Sequence, residues 1–292
     1  MRLLVLTSPA AGNTDADSLD RATEVLREHG EVEVASSGSP DELDAVLDDA
    51  ADRRLVVAGG DGSLHAVVAA LHRRGTLARQ PIALVPLGTG NDFARAVDLP
   101  EDPGEAALIA VTGRPRPLDL LADDDGGVVV NSVHTGAGAA AAQAGKGWKE
   151  RLGKVGYAVG AVQAIVRPPT VHLRVTVDGT VLASEREPVL QVVVGNGVYV
   201  GGGAALTPDA DPGDGVADVL VSTAVGPLAR LGYAAGVLVR RHPRRADVHT
   251  ATGTVVSVSG RKFWCSADGE LTGPHRQKTW RVLPAAYELM VP

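Results

Sequence analysis

Several residue types are scarce in this chain of 292 residues, and each scarcity excludes a class of protein. The single cysteine, Cys265, excludes an intramolecular disulfide and any zinc cluster built on cysteines. No apolar run approaches the roughly 18 residues that a membrane-spanning helix needs. The formal net charge is −7, so bulk charge gives no reason to expect a nucleic-acid partner. We therefore expect a cytoplasmic protein that binds no nucleic acid.

Hydrophobic residues make up 45% of the chain but aromatic residues only 3%, so aliphatic side chains must form the core. The apolar run after Arg2 is too short for a signal peptide and predicts a buried first strand. Repeated strand–helix patterns over residues 1–118 predict a Rossmann-like α/β domain with a mostly parallel sheet. The predicted strands are Arg2–Thr7, Val32–Ala35, Leu55–Ala58 and Ile82–Pro86, and the predicted helices are Ser18–His29, Pro40–Ala51, Ser63–Arg74 and one that begins at Asp92.

The pattern changes after Pro115 and Pro117, and we place a domain boundary near residue 118. Residues 119–292 are rich in short strand patterns, which predicts a β-sandwich-like second domain. Asp178-Gly179 is a typical hairpin turn. The predicted strands are Asp119–Ala122, Val128–Val133, Val171–Val177, Thr180–Ala183, Val189–Val194, Ala217–Ser222, Thr254–Ser259 and Lys278–Leu283, and the predicted helices are Trp148–Val166 and Pro227–Arg240.

Three glycines in the segment Gly59–Ser63 lie between a predicted strand and a predicted helix. Glycine lets the backbone approach a phosphate closely, and the free N–H groups of a helix N-terminus attract anions. Asp61 or Ser63 could equally cap the helix in an ordinary tight turn. This segment alone therefore leaves a phosphate site and a tight turn both open.

A second glycine-rich segment, Pro86–Arg95, also follows a predicted strand and opens a helix. Loops at the carboxyl ends of neighbouring parallel strands form the crevice where open α/β sheets bind ligands. Two such loops in one domain favour a phosphate site over two ordinary turns.

Both segments resemble the signatures of the diacylglycerol kinase catalytic domain in the bacterial soluble lipid kinase family, which also resembles sphingosine kinases. Gly59–Ser63 is similar to its GGDGT loop, and Pro86–Arg95 to its P-x-GTGNDFAR stretch. Further segments resemble the family in chain order. Ser8–Gly12 resembles its N-P-x-[SA]-G turn, and Asp268–Glu270 resembles its DGE motif. Between them, the family stretch G-N…GGG…P-x-A-x-x-x-DG is matched by Gly195–Gly197, Gly201–Gly203 and Pro208–Gly215. The resemblance covers nearly the whole chain and implies a two-domain fold related to that of NAD kinase.

The resemblance implies an ATP-dependent kinase that uses Mg²⁺ and phosphorylates a lipid hydroxyl, with diacylglycerol as the first candidate acceptor. Asp268 or Glu270 would take the hydroxyl proton. Asp61 and Asp92 would lie near nucleotide-bound magnesium, and a structural magnesium would lie on oxygen atoms of Asp211, Asp214 and Val216. The nucleotide would contact Ser8, Gly12, Gly59, Gly60, Asp61, Gly62, Ser63, Gly88, Thr89, Gly90, Asn91 and Asp92. Without the other motifs, Asp268–Glu270 would be interpreted as a hairpin turn and Asp209–Gly215 as a polar turn.

The chain departs from the family pattern at several positions. His65 and Ala66 stand where the family usually has Asn-Glu, Ser8 replaces an Asn, and Ala140 stands in a segment that normally contains an Asp. The histidine at position 65 resembles the sphingosine kinases at this position of the motif, and it is also an ordinary helix residue. Two alternatives stay open: an NAD kinase-like enzyme, which shares the GGDG loop, and a non-catalytic nucleotide- or lipid-binding relative.

A lipid acceptor implies transient, peripheral association with a membrane surface. Pro227–Val239 is apolar and is followed by four arginines between residues 240 and 245. This segment is either a docking surface for anionic lipid or a core helix that ends in solvated arginines. Trp148, Lys149 and Lys154 form a second candidate docking surface. A homodimer is left open.

Overall fold

The computed structural model describes residues 1–9, 13–50, 53–140 and 170–292. Three predictions lie outside the described residues: the nucleotide contact Gly12, the helix Trp148–Val166, and the docking candidate at Trp148, Lys149 and Lys154. Within the described ranges, no helix has the length and apolar character needed to cross a bilayer.

A four-stranded parallel sheet organises the first part of the described chain, with the order β2-β1-β3-β4. Successive side chains of a strand point to opposite faces. In β1, Leu4 and Leu6 therefore pack into one hydrophobic cluster, while Leu3 and Val5 pack into another. Both faces are covered, as parallel sheets require. The strands are β1 (Arg2–Thr7), β2 (Glu31–Ser36), β3 (Arg54–Gly59) and β4 (Ala83–Pro86).

Helices cover both faces of this sheet, and two of them begin at side-chain caps. The Ser39 hydroxyl accepts a hydrogen bond from the Glu42 N–H, and the Asp102 carboxylate accepts from the N–H groups of Gly104 and Glu105. The helices are α1 (Asn13–His29), α2 (Pro40–Asp48), α3 (Asp61–Arg73), α4 (Asp92–Ala96) and α5 (Pro103–Thr112). Helices α1 and α5 pack on one face and α2 and α3 on the other. The predicted α/β domain is confirmed.

Antiparallel strands form the second part of the described chain, and the predicted β-sandwich-like class is confirmed. The main path has the order β15-β14-β11-β7-β16-β17-β5-β6, and β8 pairs with β16, β9 and β10. The strands are β5 (Arg114–Asp123), β6 (Val128–Val129), β7 (Ser132–Gly136), β8 (Val171–Val177), β9 (Thr180–Ala183), β10 (Pro188–Val189), β11 (Gln191–Gly195), β12 (Tyr199–Val200), β13 (Ala204–Ala205), β14 (Ala217–Ser222), β15 (Val248–Gly253), β16 (Val255–Ala267) and β17 (Glu270–Val291).

One predicted strand is wrong in a way that bears on function. Val128–Val133 is not continuous but divides into β6 and β7. The N–H groups of Val130, Asn131 and Ser132 donate to the carboxylate of Asp268. Local β-propensity could not reveal this acceptor, because it lies in a turn at the far end of the chain.

The last strand connects the two parts of the fold. The second half of β17, from Trp280 to Val291, pairs with β5, and the end of β17 reaches the edge of the parallel sheet. There the Ile82 N–H donates to the carbonyl of Glu288 and the Met290 N–H donates to the carbonyl of Ile82, both at 2.8 Å. Tyr287 and Leu289 are buried in the same cluster as the α2–α3 face of the sheet. The predicted boundary at residue 118 falls inside β5 and stays a prediction.

Candidate active site

Two glycine-rich loops meet at the carboxyl edge of β3 and β4. The Leu87 N–H donates to the carbonyl of Gly59 at 3.1 Å. A Cβ atom on Gly88 would lie 2.5 Å from the Cα of Gly60, closer than real Cβ contacts allow. Only glycine permits this backbone contact. The two predicted loops therefore form one continuous surface, as neighbouring parallel strands require.

Asp61, the first residue of α3, links the first loop to the second. Its Oδ2 accepts from the Asp92 N–H at 3.0 Å, and its Oδ1 accepts from the Phe93 N–H at 2.9 Å. The carboxylate thus holds the start of α4, where unpaired N–H groups favour negative charge. This predicted nucleotide and metal residue lies at the centre of the two loops.

Asp92 is buried beside Asp61 and is held from the second part of the fold. Its carboxylate accepts from the Gly202 N–H, with Oδ2 at 2.9 Å, and from the Arg95 guanidinium at 3.2 Å. Burial, reinforced by the charge of Asp61, raises the pKa of Asp92, although hydrogen bonds from Gly202 and Gly203 oppose the shift. Two acidic side chains therefore share one site, and a positive charge placed there would relieve their repulsion.

Among the other predicted nucleotide-binding residues, Gly90 lies against both carboxylates. A Cβ on Gly90 would lie 3.4 Å from Asp61 Oδ2 and 3.6 Å from Asp92 Oδ2. Asn91 has a left-handed backbone, with φ of 50°, and its Nδ2 donates to the carbonyl of Gly88 at 2.8 Å. The remaining residues, Ser8, Gly62, Ser63 and Thr89, lie after β1, at the start of α3 and at the tip of the second loop.

Asp268 lies in the turn between β16 and β17, so this motif does form a hairpin turn. Its side chain is nevertheless only 2% exposed and accepts four hydrogen bonds. Oδ1 accepts from the N–H groups of Asn131 and Ser132 at 3.0 Å, and Oδ2 accepts from the Val130 N–H at 2.7 Å. The fourth bond joins Oδ2 to Nδ1 of His65 at 2.8 Å. An ionised carboxylate has about four lone-pair positions, so these partners saturate it.

His65 and Glu270 border the same cavity of about 230 Å³, between α3 and the strands β16 and β17. The His65 side chain is 15% exposed, and Glu270 is exposed to solvent. Burial lowers the pKa of His65, but the hydrogen bond and charge of Asp268, with the charge of Glu270, outweigh burial and raise it above 6.5. The bond from Nδ1 to Asp268 leaves Nε2 as the other functional atom of this imidazole.

Both parts of the chain match known protein families. Residues 2–122 match the diacylglycerol kinase catalytic domain, and residues 131–291 match the YegS C-terminal NAD kinase beta sandwich-like domain. A protein named "Probable lipid kinase YegS-like" from Xanthomonas euvesicatoria is 34% identical, over 72% of this chain and 70% of its own length. A protein of the same name from Stenotrophomonas maltophilia is 32% identical, over 75% of this chain and 72% of its own length. The chain belongs to the YegS-like lipid kinase family.

A crystal structure of a diacylglycerol kinase from Bacillus anthracis has the same fold as this YegS-like chain. The TM-score is 0.77 at 21% identity, and the alignment covers 100% of this chain and 97% of the other. The predicted family resemblance is confirmed, and membership of a kinase family implies the use of ATP.

The structural magnesium site implied by the YegS-like resemblance stays a prediction. Asp211 accepts from the Gly213 N–H at 2.9 Å and forms an ion pair with Arg116. Asp214 accepts from the Val216 N–H at 3.1 Å. In the described ranges, no group of three or more histidine, cysteine, aspartate or glutamate side chains is arranged to hold a metal ion.

Sequence reasoning missed several groups that build this YegS-like site. It assigned no role to Arg95, to the Gly202 N–H or to the amides that hold Asp268. Gly201–Gly203 have φ values of 62°, 89° and 114°, and this left-handed run directs the Gly202 N–H at Asp92. Three consecutive glycines were a visible signal of such a backbone, although the carboxylate that they serve was not.

Proposed function

We propose that this protein transfers the γ-phosphate of ATP to a lipid hydroxyl, with diacylglycerol as acceptor and phosphatidic acid as product. One observation carries the proposal: α3 presents Asp61 and His65 four residues apart, so the two side chains lie on one helix face about 5–6 Å apart at their Cβ atoms. Asp61 holds the second glycine-rich loop, and His65 contacts Asp268 of the second part of the fold. The phosphate loops and the candidate acid–base groups are therefore within reach of one transfer.

The two loops supply a binding surface for the nucleotide phosphates. Backbone N–H groups at the start of α3, freed by the glycines before them, favour bound anions. Asp61 and Asp92 fit a magnesium ion, because a hard cation prefers carboxylate oxygens and usually takes one or two of them together with substrate phosphates. The raised pKa of Asp92 supports this role, since it reflects repulsion by Asp61 as well as burial. When bound, Mg²⁺ would neutralise phosphate charge.

The acceptor hydroxyl needs a base, and the candidate residues differ in the lone pairs that they have free. Asp268 would have to give up one of its four hydrogen bonds to accept a proton. Glu270 is exposed at the cavity, and His65 Nε2 becomes available whenever the imidazole is neutral. In our proposal the hydroxyl enters this cavity, Asp268 fixes the ring of His65, and Glu270 or His65 accepts the proton.

The test is transfer of labelled phosphate from γ-labelled ATP to purified diacylglycerol, to a mixed lipid extract, and to NAD. We expect labelled phosphatidic acid, and we expect Asp61→Asn to abolish the transfer. Label on NAD would identify an NAD kinase-like enzyme instead. ATP binding without transfer to any of the three acceptors would support a non-catalytic relative and overturn the proposal.

A further inference from the structure

Helix α6 (Pro227–Leu238) exposes a continuous apolar stripe. Leu228 is 83% exposed, Leu231 64% and Leu238 86%, and Val239 at the end of the helix is 62% exposed. The positions 228, 231, 235 and 238 recur at helical spacing, so their side chains share one face. Large aliphatic side chains held in water on one face indicate a surface that is covered during function.

The opposite face of α6 already anchors the helix to the protein. Tyr233 is buried, and Ala229 and Val237 pack against the same cluster as Val193 and Leu220 of the sheet. The phenolic oxygen of Tyr233 accepts a hydrogen bond from Gln191. The outward leucines are therefore not needed to hold the helix in place, and their exposure is not explained by a role in the core.

Arginines follow the apolar stripe directly. Arg240, Arg241 and Arg244 are exposed, in a chain whose formal net charge is −7. An apolar helix face with adjacent cations matches the boundary of an anionic bilayer, where acyl chains bury the leucines and lipid headgroups attract the arginines. A symmetric dimer through the same face would bury the leucines as well, and the experiment below distinguishes it from a bilayer.

This surface is continuous with the candidate active site. The Arg240 guanidinium donates to the hydroxyl of Tyr199 at 3.2 Å and lies 5.3 Å from the centre of its ring. The Arg95 guanidinium lies over the same ring, 5.8 Å from its centre, and also donates a hydrogen bond to Asp92. The end of α6 is thus two side chains away from a carboxylate of the nucleotide loops.

We propose that the exposed face of α6 and the arginines at 240, 241 and 244 dock the protein on an anionic lipid bilayer. Leu228, Leu231, Leu238 and Val239 enter the interface between headgroups and acyl chains, and the arginines contact anionic headgroups. The docking deepens the proposed function, on which it rests for its purpose, because it would hold the protein on the bilayer that contains the acceptor.

The experiment is co-sedimentation of the full chain with vesicles of phosphatidylcholine alone and of phosphatidylcholine mixed with phosphatidylserine. We expect binding to the mixed vesicles that weakens as salt rises. The paired change Leu231→Glu with Leu238→Glu should weaken binding tenfold or more, since each leucine loses its burial. Arg241→Glu with Arg244→Glu should remove the preference for phosphatidylserine. The matched control is Leu108→Glu, an exposed leucine of α5, which should bind as the wild type does.

Three results would overturn the docking surface: no binding of the wild type to mixed vesicles, unchanged binding of the leucine variant, or sedimentation of the wild type as a dimer that the leucine variant dissociates. The last would assign the face to a second copy. Phosphate transfer to a short-chain, dispersed diacylglycerol separates this proposal from the proposed function. Docking variants should retain that transfer, whereas a wild type that docks but transfers nothing would refute the proposed function alone.

Discussion

Replacing Asp268 by asparagine keeps the shape of the side chain, removes its charge and exchanges one acceptor oxygen for an NH₂ donor. Each oxygen of the native carboxylate accepts two hydrogen bonds, Oδ1 from Asn131 and Ser132 and Oδ2 from Val130 and His65. If the NH₂ group faces Asn131 and Ser132, two backbone donors lose their acceptor. If it faces Val130 and His65, the Val130 N–H loses its acceptor, whereas His65 Nδ1 can accept from the NH₂ group in its other tautomer. Hydrogen bonds to charged groups contribute about 1.5–3 kcal/mol each, so we expect Asp268→Asn to lower the free energy of unfolding by about 1.5–6 kcal/mol.

That loss is large against the roughly 5–15 kcal/mol that stabilises a typical domain. Urea unfolding followed by tryptophan fluorescence measures it, because Trp280 is buried on β17. The matched control is Glu270→Gln, two residues away and exposed, which should change the free energy of unfolding by less than about 0.5 kcal/mol. A loss below about 1 kcal/mol in Asp268→Asn would refute the inference that these four hydrogen bonds fix the β6–β7 break. Kinase activity of Asp268→Asn should be compared only where the variant is folded.

His65→Gln removes an imidazole whose pKa is raised above 6.5 by Asp268 and Glu270 despite its burial. The stability advantage of the wild type over this variant should be complete below pH 6.5 and should shrink as pH rises through the folded-state pKa of His65. Paired urea unfolding curves that show an advantage growing with pH would contradict this. Gly88→Ala should weaken ATP binding in calorimetry and cost about 1–3 kcal/mol of stability, because the new Cβ meets the Gly60 backbone; wild-type ATP affinity would disprove the close contact. Asp214→Ala should abolish a rise in the melting temperature of the nucleotide-free protein on adding Mg²⁺, whereas identical wild-type melting curves with Mg²⁺ and with EDTA would show that no stabilising cation binds.

Much of the architecture was predictable because local sequence signals determine it. The first sheet follows from alternating strand and helix patterns, and the Asp178-Gly179 turn follows from its residues, whose φ values of 47° and 81° match the predicted hairpin. The two glycine-rich loops were also predictable, since a strand followed by glycines and a helix places both loops at one sheet edge.

The partners of the acidic groups were not predictable, because they depend on contacts between distant parts of the chain. The family resemblance implied that Asp268 or Glu270 takes the hydroxyl proton, but the burial of Asp268 and its bond to His65 depend on the docking of β16–β17 against α3. Likewise, Asp92 was recognised in its motif, whereas the Gly202 N–H that holds it comes from a loop 110 residues away. Residue type predicted the chemistry at both positions, and tertiary structure selected the hydrogen-bond partners.

The return of β17 to the edge of the parallel sheet has a consequence for biosynthesis. In the complete fold, the backbone of Ile82 forms hydrogen bonds with Glu288 and Met290, and Tyr287 and Leu289 complete the core beneath α2 and α3. While the ribosome is still adding the preceding residues, the amino-terminal half therefore lacks both a strand partner at this edge and part of its apolar interior. An unpaired strand edge beside exposed leucines and valines is a site of aggregation. The nascent nucleotide-binding half is thus expected to depend on chaperones until the last strand is synthesised.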